Sequence, residues 1–176
     1  AGVIYEPLTG PAGDAVNPVI LEMFERNKIP VVLLDCDIVP FPERSRWDVV
    51  GVNDIEAGAR IAKHLISAGA RCIHFLVGKI GPITYRNRLA GAELALKHAG
   101  VKMPNSGNVL HAEPDDLKAL KRYLKRQKSQ PDAFICSNDA IAGIFKKTLE
   151  AAGLNVPKDV VLTGFADLPV ASLMTP

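Results

Sequence analysis

Short, largely apolar runs alternate with amphipathic stretches along this chain, and that alternation constrains the fold more than any other feature. GVIY at 2–5, PVVLL at 30–34, DVVGV at 48–52, CIHFLV at 72–77, NVLHA at 108–112, AFIC at 133–136 and DVVLTGF at 159–165 read as strands. Between them, residues 15–27, 54–68, 88–99, 115–128 and 140–152 space their apolar side chains as helices do. A strand that is apolar throughout has both faces buried. In strict strand–helix alternation this means a parallel sheet with helices on both sides, an α/β fold.

Finer expectations follow. In 15–27 the core stripe is Val19, Ile20, Met23 and Phe24, with Pro18 tolerable only in the first turn. In 54–68, Ile61, His64, Leu65 and Ala68 share a face. In 115–128, Leu117, Leu120 and Leu124 point inward, so the cations of KALKRYLKRQK at 118–128 form a solvated outer face rather than a nucleic-acid site. Gly153 fits the residue that ends a helix in the left-handed conformation. The Pro-rich link at 35–48 is the one long connection. It predicts two βα lobes, 1–50 belonging to one and 51–176 making up most of the other.

Composition narrows the function. Of 176 residues 48% are hydrophobic, enough for a sizeable core, and the net charge of +2 argues against holding nucleic acid by bulk electrostatics. Cys36, Cys72 and Cys136 lie far apart with no CxxC pair, which reads as buried reduced thiols in the cytosol. AGVIYEPLTG is no secretory signal, no window has the uncharged length of a membrane span, and the first residues already read as a mid-domain strand, so the chain reads as a fragment. GxGxxG, P-loop, HExxH and GxSxG patterns are missing, and His64, His74, His98 and His111 are scattered. No cofactor, metal or catalytic residue is expected, and the chain does not read as an enzyme.

The strand ends carry the polar chemistry. Glu6, Asp35 and Asp37, Asn53 and Asp54, Glu113, Ser137 to Asp139, and Asp167 each follow a strand, and the segment after 72–77 holds Thr84, Tyr85, Arg86 and Arg88. In open parallel sheets ligands bind outside the carboxyl ends of the strands. Carboxylates and amides accept from hydroxyls and arginine donates, so the set suits a sugar, a polyol or a small polar acid or base. Asn53, and Ser137 or Asn138, could equally be helix N-caps, and both readings stand for them. Capping does not account for Asp35, Arg88 and Asp167.

NDIEAGARIAKHLISAGARCIHFLVG, RNRLAGAELALKHAG and PDAFICSNDAIAGIFKKTLEAAGLNVPKDVVLTGFADLPVASLMTP, in that order, resemble the effector-binding region of the LacI/GalR family of transcriptional regulators. RLAG, SND followed by AIAG, and VPKDVVLTGFAD are the most specific pieces. The resemblance implies a periplasmic-binding-protein-like type I fold, two parallel-sheet lobes with a ligand cleft between them. It implies a cytoplasmic homodimer, no membrane partner, a small sugar-like effector, and operator DNA bound through a headpiece outside this chain. A periplasmic sugar-binding component of an ABC transporter is the alternative. The ligand-binding residues it implies are Asp35, Thr84, Arg88, Asn138 and Asp167, and Arg88→Ala is expected to abolish binding with the fold intact.

Three positions depart from the family pattern. Ala166 stands where an aspartate is usual, Ala112 where a large aromatic often stands, and Asn53-Asp54 reverses the usual pair. The departures imply a wider pocket with one acceptor fewer, where Trp47, Tyr85 or His111 take over contacts.

Overall fold

The computed structural model describes residues 1–78, 83–101 and 107–174. Its elements in chain order are β1 (Val3–Tyr5), α1 (Pro11–Arg26), β2 (Val31–Leu34), β3 (Asp48–Val50), α2 (Asp54–Ser67), β4 (Ile73–Val77), α3 (Ile83–His98), β5 (Val109–His111), α4 (Leu117–Arg126), β6 (Ala133–Cys136), α5 (Asp139–Ala151), β7 (Val161–Thr163) and α6 (Pro169–Leu173). They form two sheets, β1-β2-β3 and β5-β4-β6-β7, in which every pairing is parallel. The α/β class with helix-flanked parallel sheets is thus the one the alternation predicts.

The second sheet shows why its strands are so largely apolar. Ile73, Phe75, Ala133 and Ile135 point to one face, against Ala62, Leu65, Ala92 and Leu96 of α2 and α3. Leu76, Phe134 and Cys136 point to the other, against Leu120 of α4 and Phe145 and Leu149 of α5. Phe134 and Phe145 meet edge to face at 5.1 Å. In the first sheet Val31 and Leu33 pack on Leu21 and Phe24 of α1.

The helices differ from the sequence expectation in instructive ways. α1 begins at Pro11, so Pro18 lies inside it and not in its first turn. Its fully buried residues are Gly13, Asn17 and Leu21; of the expected stripe Phe24 packs on the sheet and Ile20 is half-buried, while Val19 and Met23 are exposed. Asn17 earns its place by bonding: it accepts from Tyr5 Oη (2.7 Å) and the Leu8 N–H (2.9 Å) and donates to the Leu8 carbonyl (2.9 Å). The inward face of α2 is Asp54, Gly58, Ala62 and Leu65, with His64 and Ala68 exposed. The third helix starts at Ile83, five residues before the expected start at 88, so Thr84, Tyr85 and Arg88 are helical rather than in a loop. These faces are lined by small or polar residues that let elements approach closely, which a search for large apolar side chains at helical spacing passes over. Gly153 takes φ +90° after α5, as the sequence predicts.

His74 on β4 is fully buried, with Tyr123 Oη 2.7 Å from Nδ1 and Cys72 Sγ 3.3 Å from Nε2. Burial pushes its imidazole down from the usual 6.5 to about 4, against a smaller upward pull from Asp132. The unfolded chain therefore binds this proton more readily than the fold does. Stability is expected to fall as pH drops through 6.5 towards 4, by roughly 3 kcal/mol from this group. Urea unfolding of wild type and His74→Gln between pH 7 and 4.5 reads the difference. The variant should show a shallower loss, and equal slopes would refute the assignment.

Candidate ligand site

The tips of β2, β3, β6 and β7 and the first turns of α2, α3 and α5 converge on one region. α2 and α3 set it up. A methyl group on Gly58 would overlap the Arg88 carbonyl oxygen, and one on Gly91 the Ile55 carbonyl oxygen. Each helix thus admits the backbone of the other where a side chain would be. That crossing brings Arg88 of α3 onto Asp54 of α2: Nε donates to Asp54 Oδ1 at 2.7 Å. Its Nη1 donates to the Ser137 carbonyl, also at 2.7 Å. The guanidinium lies 4.8 Å from the Phe165 ring centre and 5.8 Å from that of Tyr85. One arginine thereby ties together α2, α3, the end of β6 and the segment after β7.

Of the two readings left open for Asn138, capping is the one its bonds display. Its Oδ1 accepts from the Ile141 N–H at 2.8 Å as the N-cap of α5, and its Nδ2 donates to Tyr85 Oη at 2.7 Å. Asn53 caps α2 by accepting from the Glu56 N–H. Asp139 is buried and its Oδ2 accepts from the Leu168 N–H at 2.9 Å, which holds the turn after β7.

From the first sheet comes Asp35, exposed at the end of β2. Its N–H bonds the Val50 carbonyl, while the Cys36 N–H turns back to the Leu34 carbonyl, closing a three-residue turn. The turn holds Asp35 at φ +71°, an unusual value that aspartate tolerates better than most residues. Ala166 and Asp167 also take positive φ, +89° and +49°. Three of the four such non-glycine residues described therefore lie at these strand tips, where backbone strain often accompanies function. The Asp37 carboxylate is already committed, accepting from the Ile38 and Ser45 N–H groups.

Asp35, Cys36, Phe41, Asn53, Asp54 and Asn87 are among the residues lining a recess of about 270 Å³ here. Four carboxylates, Asp35, Asp37, Glu43 and Asp54, line it against one cation, Arg44. The Cys36 thiol is pushed up to about 11, first by burial and then by the charges of Asp35, Asp54, Asp37 and Glu6. Burial raises the Asp54 carboxyl, Arg88 draws it down and Asp35 adds to the rise.

The sequence pattern of the periplasmic binding protein-like domain matches residues 62–176. The chain belongs to that family. It is 29% identical to the HTH-type transcriptional repressor PurR of Haemophilus influenzae (strain PittEE) over 152 residues, 85% of this chain and 44% of that protein. It is 31% identical to the ribose operon repressor of Escherichia coli (strain K12) over 149 residues, 84% of this chain and 44% of that protein. A solved structure of a LacI transcriptional regulator from Bacillus cereus subsp. cytotoxis NVH 391-98 superposes with a TM-score of 0.74 at 25% identity, covering 98% of this chain and 58% of that one. The chain thus spans about half the length of the curated relatives it matches. Within the periplasmic binding protein-like family it is the part homologous to the effector-binding domain of LacI-type regulators.

For this family member the five expected site residues fall as follows. Arg88 joins the elements behind the recess through Asp54 but, like Thr84, Asn138 and Asp167, is not among the residues that line it; Asn138 bonds Tyr85, whose ring lies near the Arg88 guanidinium. Asp35 lines the same recess as Asp54. Thr84 lies one turn before Arg88 on α3 and is buried. Asp167 is exposed, two residues beyond the Phe165 ring that faces Arg88. Ala112 is corrected: it is buried in the core with Leu76 and Leu110, so its small size does not widen the recess. The segment at 79–82, part of the polar stretch noted after β4, lies outside the described residues. Sequence reasoning counted Asp54 among the strand-tip acceptors without pairing it with Arg88, and gave Phe165 no role. The signal for Asp54 was its place at the first turn of α2 beside the Asn53 cap; for Phe165 it was the GF at the end of β7.

Proposed function

We propose that this chain is the effector-sensing domain of a bacterial LacI-type transcriptional regulator, cytoplasmic and dimeric, with 1–50 part of one lobe and 51–176 most of the other. A small, neutral, sugar-like ligand binds in the recess between Asp35 and the Arg88–Asp54 pair and modulates operator binding by the headpiece of the longer protein. The observation that carries this reading is that recess: Asp35 from one sheet and Asp54, Asn53 and Asn87 from around the other line one cavity. Asp35 and the amides accept from and donate to hydroxyls, and Arg88 has N–H groups beyond the two engaged. The excess of carboxylates disfavours phosphorylated ligands. The curated relatives are repressors, one named for a ribose operon, which supports a regulator over a transport protein. A ligand that touches both sheets favours one arrangement of the lobes by its differential affinity for it.

A thermal-shift screen of ribose, other neutral sugars, polyols, sugar phosphates and purine bases tests this. A neutral sugar or polyol should raise Tm, and Asp35→Asn should weaken its binding about tenfold while changing stability by less than about 0.5 kcal/mol. Asparagine tolerates the positive φ at this position, so the fold survives the change. A ligand bound equally well by Asp35→Asn would place the site elsewhere. In the full-length protein the same ligand should change affinity for operator DNA.

A further inference from the structure

α4 carries Lys118, Lys121, Arg122, Lys125 and Arg126, with Lys128 just beyond, all exposed and with no acidic residue between them. None of the six forms an ion pair among the described residues. Arg26, Arg46, Arg60 and Arg88 each do. The six are not equivalent. The two arginines line a recess of about 310 Å³ between α4 and β5, and the four lysines do not. Val109, His111, Ala119 and Tyr123 complete most of its wall.

β5 is one of the two edge strands of its sheet. The Phe75 N–H bonds the Asn108 carbonyl and the Ala112 N–H bonds the Val77 carbonyl. In a parallel ladder this alternation turns the main-chain groups of Val109 and His111 to the outer edge, where the recess lies. The wall is also anchored to the core. Leu120 anchors α4 in the core, and Tyr123 Oη is held by His74 at 2.7 Å.

We propose that this recess is a second ligand site, separate from the one lined by Asp35, that binds a small multiply charged oxyanion. Arg122 and Arg126 stand one helical turn apart, about 6 Å, on one face. Their planar forks match phosphoryl or carboxylate oxygens. His111 and the outward N–H groups of β5 supply further donors. The lysines outside the recess form a positive field that draws anions towards it. The face carries no exposed aromatic or aliphatic anchor, so a small anion fits it better than a protein surface does.

The test titrates the chain with pyrophosphate and with citrate at fixed ionic strength, by calorimetry and by amide shifts. Arg122→Gln/Arg126→Gln removes two charges from the recess, and Lys118→Gln/Lys121→Gln removes two from the helix outside it. Expected is saturable binding of at least one anion that moves the Val109 and His111 amides. The arginine pair should weaken it tenfold or more and the lysine pair no more than about threefold. Pyrophosphate binding alone would mean a phosphoryl ligand, citrate alone a polycarboxylate, both a general oxyanion site. Binding of neither, or equal losses in the two variants, would overturn the proposal. Asp35→Asn should leave this binding unchanged, which separates it from the proposed effector site.

Discussion

Arg88→Ala is expected to destabilise the fold by about 3–5 kcal/mol, as well as to remove ligand binding. The sequence alone predicts an intact fold for this variant, and the geometry around Asp54 reverses that. Asp54 is 4% exposed and Arg88 is its ion-pair partner. Without the guanidinium a buried carboxylate and the Ser137 carbonyl both lose a donor. Such a penalty comes from the group left behind, so neutralising that group should recover most of it. Arg88→Ala/Asp54→Asn should therefore unfold at higher urea than Arg88→Ala, while still failing to bind the effector. The pH dependence follows from the same cause. Burial already raises the Asp54 carboxyl in the wild type, and removing Arg88 takes away what holds it down. The single variant's deficit should thus shrink as pH falls and Asp54 takes up a proton. An Arg88→Ala protein within 1 kcal/mol of wild type at pH 7, or a double variant no more stable than the single, would show that Asp54 does not depend on this arginine.

Legibility in the sequence divided along physical lines. The parallel sheets were readable because their strands are buried on both faces, and continuous burial leaves continuous apolar runs such as IHFLV and AFIC. That Asp35 and Asn138 stand at strand tips was readable from the apolar runs before them, but the sequence could not separate capping from other roles for Asn138, whose Oδ1 caps α5. The helix faces were harder to read, because much of what they bury is small, Gly13, Gly58, Gly91 and Ala95, with few large side chains such as Leu21, Leu65 and Leu96 among them. α3 looked as if it began at Arg88 because its first residues, ITYRN at 83–87, are mostly polar and follow Gly81-Pro82 in the sequence, which reads as a loop. The pairing of Arg88 with Asp54 could not be read either, since it depends on how closely two helices cross, 34 positions apart in the chain.

That crossing makes the second large effect. Gly91→Ala is expected to cost about 3 kcal/mol, although helix propensity alone favours alanine over glycine by about 1 kcal/mol in a helix interior. The added methyl would overlap the Ile55 carbonyl oxygen, a main-chain atom that cannot rotate aside. The helices must separate, and Gly58, which rests against the Arg88 carbonyl, loses its fit as they do. Gly143→Ala is the control. On α5 a methyl would meet only Met174 Sδ at 3.2 Å and Val170 Cγ2 at 3.6 Å, side-chain atoms that can shift, so propensity should prevail and stability hold or rise. The effector adds a second readout. Separating α2 from α3 moves Asp54 away from Arg88, so Gly91→Ala should bind ligand more weakly even under conditions where it is fully folded. Gly143→Ala leaves both residues where they are and should bind as wild type does. Equal stability of the two variants would mean the α2–α3 contact gives way freely, and the site would then need another cause for the position of Arg88.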